Sequence, residues 1–358
     1  MSTGPVRVLL LCGGRSDEHQ VSLESARSVL QALATDGSPD SSRLLVTPLV
    51  ITRDGTVVPS LESRSLLSPV TSDMLPRLES AAALSSSLTE AVGLAMADGG
   101  YDVVFPLLHG PFGEDGSVQG LLKIMGLPFV GSDVLGSAIG MDKLAMKAVF
   151  AAAGIPQVKH AAVTRYAYSR DSGKVLTDLA RLRLPLFVKP ANLGSSIGIS
   201  RVDTREDLPA AIDGALRFDR RVIVEEAAVG ARELEVAVLG NDQPLASSVG
   251  EIRYQVGFYD YQAKYTDGHA ELVIPAAVPP EVAEAARALA LRAFAEIDAA
   301  GLARVDMFYL PDGSLLLNEI NTMPGFTRHS MYPKLWEAAG VPYAELVTRL
   351  VELALERS

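Results

Sequence analysis

Short apolar runs, glycine-rich turns and amphipathic stretches alternate along this chain. VRVLLL at 6–11 is a continuous apolar run that ends in GGRSDE, so it reads as a strand entering a turn. VSLESARSVLQALA at 21–34 repeats its apolar residues at helical spacing. LLVTPLVIT at 44–52 predicts another strand, and YDVVFPLLHG at 101–110 a buried strand running into a glycine loop. Residues 60–100, rich in Ser and Leu, are expected to form a helical surface insertion. Strands alternating with helices predict an N-terminal, doubly wound parallel sheet.

Near Gly136–Gly140 the pattern resets. MDKLAMKAVFAAAG at 141–154 predicts a helix with a glycine stop, and Pro156 follows two residues later. LPLFVKP (184–190) and RVIVEE (221–226) read as strands of a second, smaller unit. A third unit opens near Gly230 with ELEVAVLG, continues through a helix over 280–301 and a hairpin, and ends in a helix. The expected division is 1–138, 139–228 and 229–358, an α/β unit followed by two α+β units.

The hairpin carries unusual chemistry. ARVDMFYL and SLLLNEIN flank Pro311-Asp312-Gly313, and Asp-Gly between apolar runs signals a tight turn. With Asp312 and Gly313 as the loop, Asp306 faces Glu319 and Arg304 faces Asn321. All four then share one face of an apolar hairpin. Opposed carboxylates repel and are costly in a half-buried sheet unless a cation or proton lies between them. Asp, Glu and Asn are oxygen ligands of the kind Mg²⁺ takes beside substrate phosphates. The other reading is that Arg304 pairs with the acids, or that a slipped register separates them.

A second cluster is LFVKPANLGSSIGIS at 186–200. Lys189 ends a strand, and a loop with Gly194, Ser195, Ser196 and Gly198 can aim backbone N–H groups at phosphate oxygens. It matches neither the P-loop nor the dinucleotide glycine fingerprint.

Length and composition narrow the setting. A chain of 358 residues accommodates two or three domains, and 48% hydrophobic with 21% charged residues is globular. With 32 basic against 43 acidic residues the net charge is −11, which argues against a nucleic-acid partner. No apolar run approaches the roughly 20 residues of a membrane span, so no membrane partner is expected. The single cysteine, Cys12, excludes an internal disulfide framework and is expected to be an inert buried thiol. The cytoplasm is the compartment this implies.

Together the Lys-Gly-Ser-Ser loop and the later Asp…Glu-x-Asn set resemble the ATP-grasp superfamily. Six motifs narrow the resemblance to the D-alanine–D-alanine ligases: GGRSDEHQVSLESA, HGPFGEDGSVQG, MDKLAMK, VKPANLGSSIGIS, GFYDYQAKYTDG and LNEINTMPGFTRHSMYP. They occur in the family's order and span the chain apart from residues 60–100. The resemblance implies a three-domain ATP-grasp fold, with 1–138 as the substrate domain and the metal site in 229–358. It implies ATP as co-substrate, two Mg²⁺ or Mn²⁺ ions, D-alanine as substrate, peptidoglycan precursor synthesis and a homodimer.

Carried over residue by residue, Asp306, Glu319 and Asn321 match the metal ligands, and Lys143 and Lys189 the ATP-phosphate lysines. Ser196 belongs to the phosphate loop, Glu225 matches the position near the adenine, and Glu233 the acid on the ribose. Arg304 and the Gly325 N–H match the groups that stabilise the oxyanion of the tetrahedral intermediate. Ser330 matches the hydroxyl that binds the carboxylate of the second D-alanine. Lys264 and Tyr265 belong to a closing loop, where Ser195 and Tyr265 complete a hydrogen-bond network. His109 lines the substrate pocket. The sequence departs from the pattern at Gln20, aligned with a Glu that receives the ammonium of the first D-alanine; Glu18 is the substitute two positions earlier. Leu193 stands where some relatives have Glu.

Other readings are a sister ligase for D-serine or D-lactate, another ATP-grasp carboxylate–amine ligase, and a non-catalytic nucleotide-binding regulator. FYDYQAKY resembles dipeptide-forming rather than D-lactate-using members. A regulator would be expected to have lost a metal ligand or Arg304, and this chain keeps them.

Overall fold

Val6–Gly13 (β1) forms where a continuous apolar run leaves every residue from Val8 to Gly13 buried. The computed structural model of the chain describes residues 4–35, 43–68, 100–254 and 270–357. After β1 come helix α1 (His19–Thr35), β2 (Leu44–Ile51), the short β3 (Val57–Val58), α2 (Ser60–Leu66) and β4 (Val103–Pro106). The sheet order is β3-β2-β1-β4. β1 pairs in parallel with β2 and β4, while β3 is antiparallel to β2. The expected parallel sheet therefore carries one antiparallel edge. Cys12 is fully buried in β1, and burial pushes its thiol up to about 12. Of the insertion expected over 60–100, α2 is described and residues 69–99 lie outside the described residues.

Three helices follow: α3 (Ser117–Ile124), α4 (Val134–Met141) and α5 (Lys143–Ala152). Asp142 separates the last two and caps α5, its carboxylate accepting from the N–H groups of Leu144 and Ala145 at 3.1 and 2.9 Å. The single helix expected over 141–154 thus starts two residues later, which puts Lys143 at its first position.

The second unit contains β5 (His160–Thr164), α6 (Arg165–Arg170), α7 (Ser172–Leu179), β6 (Leu186–Pro190), β7 (Ser200–Val202), α8 (Leu208–Ala215) and β8 (Arg221–Glu226). Its antiparallel sheet has the order β5-β8-β6-β7 and a core of its own, including Leu186, Val188, Ile212 and Val224.

The third sheet has the order β11-β10-β9-β12-β13. Its strands are β9 (Arg232–Gly240), β10 (Leu245–Tyr254), β11 (Ala270–Val273), β12 (Gly301–Tyr309) and β13 (Leu315–Asn321). Helix α9 (Pro280–Glu296) precedes β12, and α10 (Met331–Ala338) and α11 (Tyr343–Glu356) follow β13. One sheet face, through Leu234, Val236, Val305 and Met307, packs on Ala286, Ala290 and Phe294 of α9. The opposite face is apolar at Ala237, Leu239 and Leu302, where it shares one core with Leu10, Phe105 and Leu350. From Arg304 onward that face turns polar, and the site lies there.

Candidate active site

The β12–β13 hairpin aligns the acids by two compensating irregularities. Its turn takes three residues, Pro311-Asp312-Gly313, closed by the Leu310 N–H on the Ser314 carbonyl at 2.9 Å, with Gly313 at φ +89°. That is one residue more than the two-residue loop read from the sequence. One extra residue on β13, Asn318, restores the alignment, because Met307 pairs with Leu317 whereas Asp306 pairs with Glu319. Asp306 therefore faces Glu319, and Arg304 faces Asn321, the pairing expected from the sequence.

On the other side of β12, β9 sets Glu235 opposite Asp306. Glu235, Asp306 and Glu319 form a row of carboxylates across three strands, with Glu233 and Arg304 on the same face. Arg304 Nε lies 2.9 Å from Glu235 Oε2, and Nε and Nη2 donate to the Asp306 carboxylate at 2.7 and 2.6 Å. Burial works against the guanidinium charge, but Asp306, Glu235 and Glu319 outweigh it and raise the pKa of Arg304 well above its ordinary value. Arg304 pairs with the acids, the other reading of the hairpin, and three carboxylates face its one guanidinium. Asn321 Nδ2 donates to Asp306 Oδ2 at 3.0 Å.

Among the described residues, no group of three or more His, Cys, Asp or Glu side chains is gathered to hold a metal unaided. The donors nevertheless fit Mg²⁺. They are hard oxygens with surplus negative charge, few enough that phosphate and water oxygens would complete the shell.

Across from this row stand the lysines. Lys143 Nζ donates to the Leu193 carbonyl at 2.8 Å and lies 3.7 Å from Glu319 Oε2. Lys189 Nζ is 2.6 Å from Glu225 Oε2, and Lys147 Nζ is 2.9 Å from Glu225 Oε1. Glu225 and Lys147 are only 3% and 2% exposed, so this ion set is out of water. Burial pushes the Glu225 carboxyl up, but the two ammonium groups overcome it and hold it well below the ordinary carboxylate range. Burial lowers Lys189, while Glu225, Glu319 and Glu233 raise it by more, so its charge is secure. The loop after Lys189 has Ser195, Ser196 and Gly198 at φ +51°, +60° and +71°. Left-handed residues of this kind turn successive N–H groups toward one side, the geometry of an anion cradle.

Glu18, not Gln20, reaches this site. Gln20 is exposed on α1 and donates from Nε2 to Glu24 Oε1 at 3.3 Å. Glu18 lies in the turn just before α1 and Gln20 in its first turn, and the two side chains point to different surroundings. The Ser195 hydroxyl donates to Glu18 Oε1. A Cβ on Gly110 would lie 2.8 Å from Glu18 Oε2 and one on Gly194 3.2 Å from it, so two glycines make room for this carboxylate. Of the two positions, Glu18 lies beside Ser195 and Gln20 does not.

His109 is 3% exposed; its Nδ1 lies 3.1 Å from the Met323 carbonyl and 3.3 Å from Glu114 Oε1. Burial lowers the His109 pKa, but Glu114 and Glu18 raise it further, and the net shift is upward. Gly325 lies against Ser330, whose Oγ would be 3.2 Å from a Cβ at 325. Lys264 and Tyr265 lie outside the described residues.

Two members of the constellation were missed in the sequence. Lys147 is one helical turn from Lys143 inside the same quoted motif, and Glu235 is two residues from Glu233 on the same strand face. Those spacings were the available signal.

Two family models match the chain, the D-ala D-ala ligase N-terminus over residues 7–132 and the D-ala D-ala ligase C-terminus over 149–352. The D-alanine--D-alanine ligase of Deinococcus radiodurans is 54% identical over 352 residues, covering 98% of both chains. That of Geobacillus kaustophilus is 48% identical, covering 98% of this chain and 95% of the relative. Among solved structures, the D-alanine-D-alanine ligase from Coxiella burnetii superposes with a TM-score of 0.80 at 33% identity, over 99% of this chain and 95% of that one. The VanG D-Ala:D-Ser ligase from Enterococcus faecalis gives 0.83 at 32% identity, over 98% and 99%. With both halves matched by the family models and relatives this similar along its whole length, the chain belongs to the D-alanine–D-alanine ligase family.

Proposed function

We propose that this chain joins two D-alanines at the expense of ATP, supplying a peptidoglycan precursor. The family uses ATP, and with it Mg²⁺. The observation that carries the reading is the meeting of Lys143 with Glu319 and of Arg304 with Asp306, which sets phosphate-binding cations beside an oxygen-rich metal face.

The carboxylate of the first D-alanine attacks the γ-phosphorus of ATP, releasing ADP and forming an acylphosphate. The amine of the second D-alanine adds to the acyl carbon, and phosphate leaves from the tetrahedral adduct. Lys143 and Lys189 hold the nucleotide phosphates, with Ser196 and the loop N–H groups on the transferring oxygens. Glu225 keeps Lys189 in place, and Glu233 binds the ribose hydroxyls. Arg304 and the Gly325 N–H receive the negative charge on the adduct oxygen. Glu18, with Ser195, receives the ammonium of the first D-alanine, and Ser330 the carboxylate of the second. His109 lines the pocket, and Lys264 and Tyr265 close it. Asp306, Glu319 and Asn321 would hold two Mg²⁺ ions, or Mn²⁺, which neutralise phosphate charge when bound. The assembly is a cytoplasmic homodimer, with 1–138, 139–228 and 229–358 as its three domains. No helix among the described residues is long and apolar enough to cross a membrane.

The test is Mg²⁺-dependent phosphate release from ATP with D-alanine, L-alanine, D-serine or D-lactate, and mass identification of the product. D-alanyl-D-alanine is expected from D-alanine alone. A mixed product with D-serine would move the chain to the specificity in the name of the Enterococcus neighbour. Release that ignores D-alanine would refute the ligase reading.

The first-substrate anchor makes a sharper prediction. Losing a hydrogen bond to a charged group costs about 1.5–3 kcal/mol, so Glu18→Gln is expected to lower kcat/KM for the first D-alanine about ten- to hundredfold. Gln20→Ala, at an exposed position, is expected to stay within about twofold. Equal losses in the two variants would return the anchor to Gln20.

A further inference from the structure

We infer that Ser25, His109 and Tyr343 form a clamp that aims the Gly325 N–H, which makes them positioning residues for the tetrahedral step. The inference rests on the ligase reading and adds to it how one backbone donor is held still. The segment Met323-Pro324-Gly325-Phe326 leaves the end of β13 without regular structure. An irregular segment with a glycine would ordinarily leave that donor free to swing.

Three hydrogen bonds prevent this. The Met323 carbonyl lies 3.1 Å from His109 Nδ1. The Phe326 N–H donates to Ser25 Oγ at 3.3 Å, and the Phe326 carbonyl accepts from the Tyr343 hydroxyl at 2.5 Å. The peptide carrying the Gly325 N–H sits between the peptide held at Met323 and the peptide held at the Phe326 N–H. Pro324 precedes it, and its ring fixes φ. Only the ψ of Pro324 and the φ of Gly325 remain to set the donor, and both lie between anchored ends.

The Phe326 ring adds a fourth constraint. It is fully buried, 5.8 Å from Phe105 in an edge-on contact and 5.4 Å from Tyr343. The hydrogen bonds also form one consistent chain. His109 Nδ1–H donates to the Met323 carbonyl, His109 Nε2 lies 3.3 Å from the Ser25 hydroxyl, and Ser25 Oγ accepts from the Phe326 N–H. Glu114 Oε1 is the competing acceptor at Nδ1. The clamp therefore draws on helix α1, the loop after β4 and helix α11, and it ties both ends of the chain to the donor.

The test uses full-length Ser25→Ala and Tyr343→Phe, which keep the packing shapes. Ser28→Ala is the control on the same helix, where the hydroxyl donates to the Glu24 carbonyl at 3.0 Å. Site-resolved amide hydrogen exchange reads the clamp without reference to activity. Exchange at Phe326 is expected to speed at least tenfold in Ser25→Ala, with β1 amides and the Ser28→Ala control unchanged. Removing an oxyanion donor outright costs about 10²–10³ in rate. Loosening one is expected to lower kcat about tenfold in both clamp variants, with KM for ATP within twofold of wild type. Unchanged exchange, or a kcat within twofold in a chain whose wild type makes the dipeptide, would overturn the clamp. So would a rise in KM for ATP that tracks a loss of melting temperature. A wild type that makes no dipeptide would instead overturn the ligase reading, and the exchange arm would still report on the clamp.

Discussion

Glu319→Gln is expected to fold normally and to lose dipeptide synthesis by about a thousandfold. The loss follows from removing one charged oxygen from the proposed Mg²⁺ site, where Lewis-acid stabilisation is worth several kcal/mol. The unchanged fold follows from the surroundings of the side chain. Glu319 is a quarter exposed, and its ion pair to Lys143 spans 3.7 Å; pairs of that kind contribute about 0–1 kcal/mol. It is also the outer member of a row of three like charges, so neutralising it relieves repulsion with Asp306. Urea denaturation should place the variant within about 1 kcal/mol of wild type. Turnover near the wild-type rate in a folded variant would refute the assignment of Glu319 as a metal ligand.

Lys147→Met is expected to act in the opposite sense, on stability first. Lys147 and Glu225 are almost completely buried and 2.9 Å apart, and removing one partner of a buried pair typically costs about 3–5 kcal/mol. Lys147 Nζ also lies 3.4 Å from the carbonyl of Asn318, the bulge residue, so the substitution loosens the irregularity that brings Glu319 into register. Adding Glu225→Gln to Lys147→Met should deepen the loss, because Lys189, 2.6 Å from Glu225, then loses its counter-ion as well. The pH dependence carries the same signature. The folded-state pKa of Glu225 is depressed below 4.5, so its contribution is present above pH 4.5 and is lost as pH falls below that. Wild type should lose stability on acidification below pH 4.5 more steeply than Glu225→Gln. Parallel pH profiles for the two proteins would refute the ion set as the source.

Local pattern was enough for most elements of the fold. The apolar run of β1, the amphipathic period of α1 and the Asp-Gly turn each depend on neighbours in sequence, and each formed within a few residues of where it was expected. The pairing of Asp306 with Glu319 was also legible, although the turn is one residue longer than expected and the Asn318 bulge compensates for it. Counting along a hairpin cannot reveal two offsets that cancel.

Longer-range placement was not legible in the same way. Gln20 and Glu18 are two residues apart, and only the direction in which α1 docks decides which carboxyl or amide reaches Ser195. Glu235 becomes the third carboxylate of the row because β9 pairs with β12 across a separation of about 70 residues, which no local period encodes. Lys147 looks in sequence like any helical lysine, and it is the arrival of Glu225 from β8 that makes it a buried counter-ion. Sequence determined which side chains were available and which faces of their own elements they occupy, since those follow from backbone periods of 2 and about 3.6 residues. Tertiary structure alone decided which of those faces meet, because strand order and helix docking are set by packing the whole core rather than by any one segment.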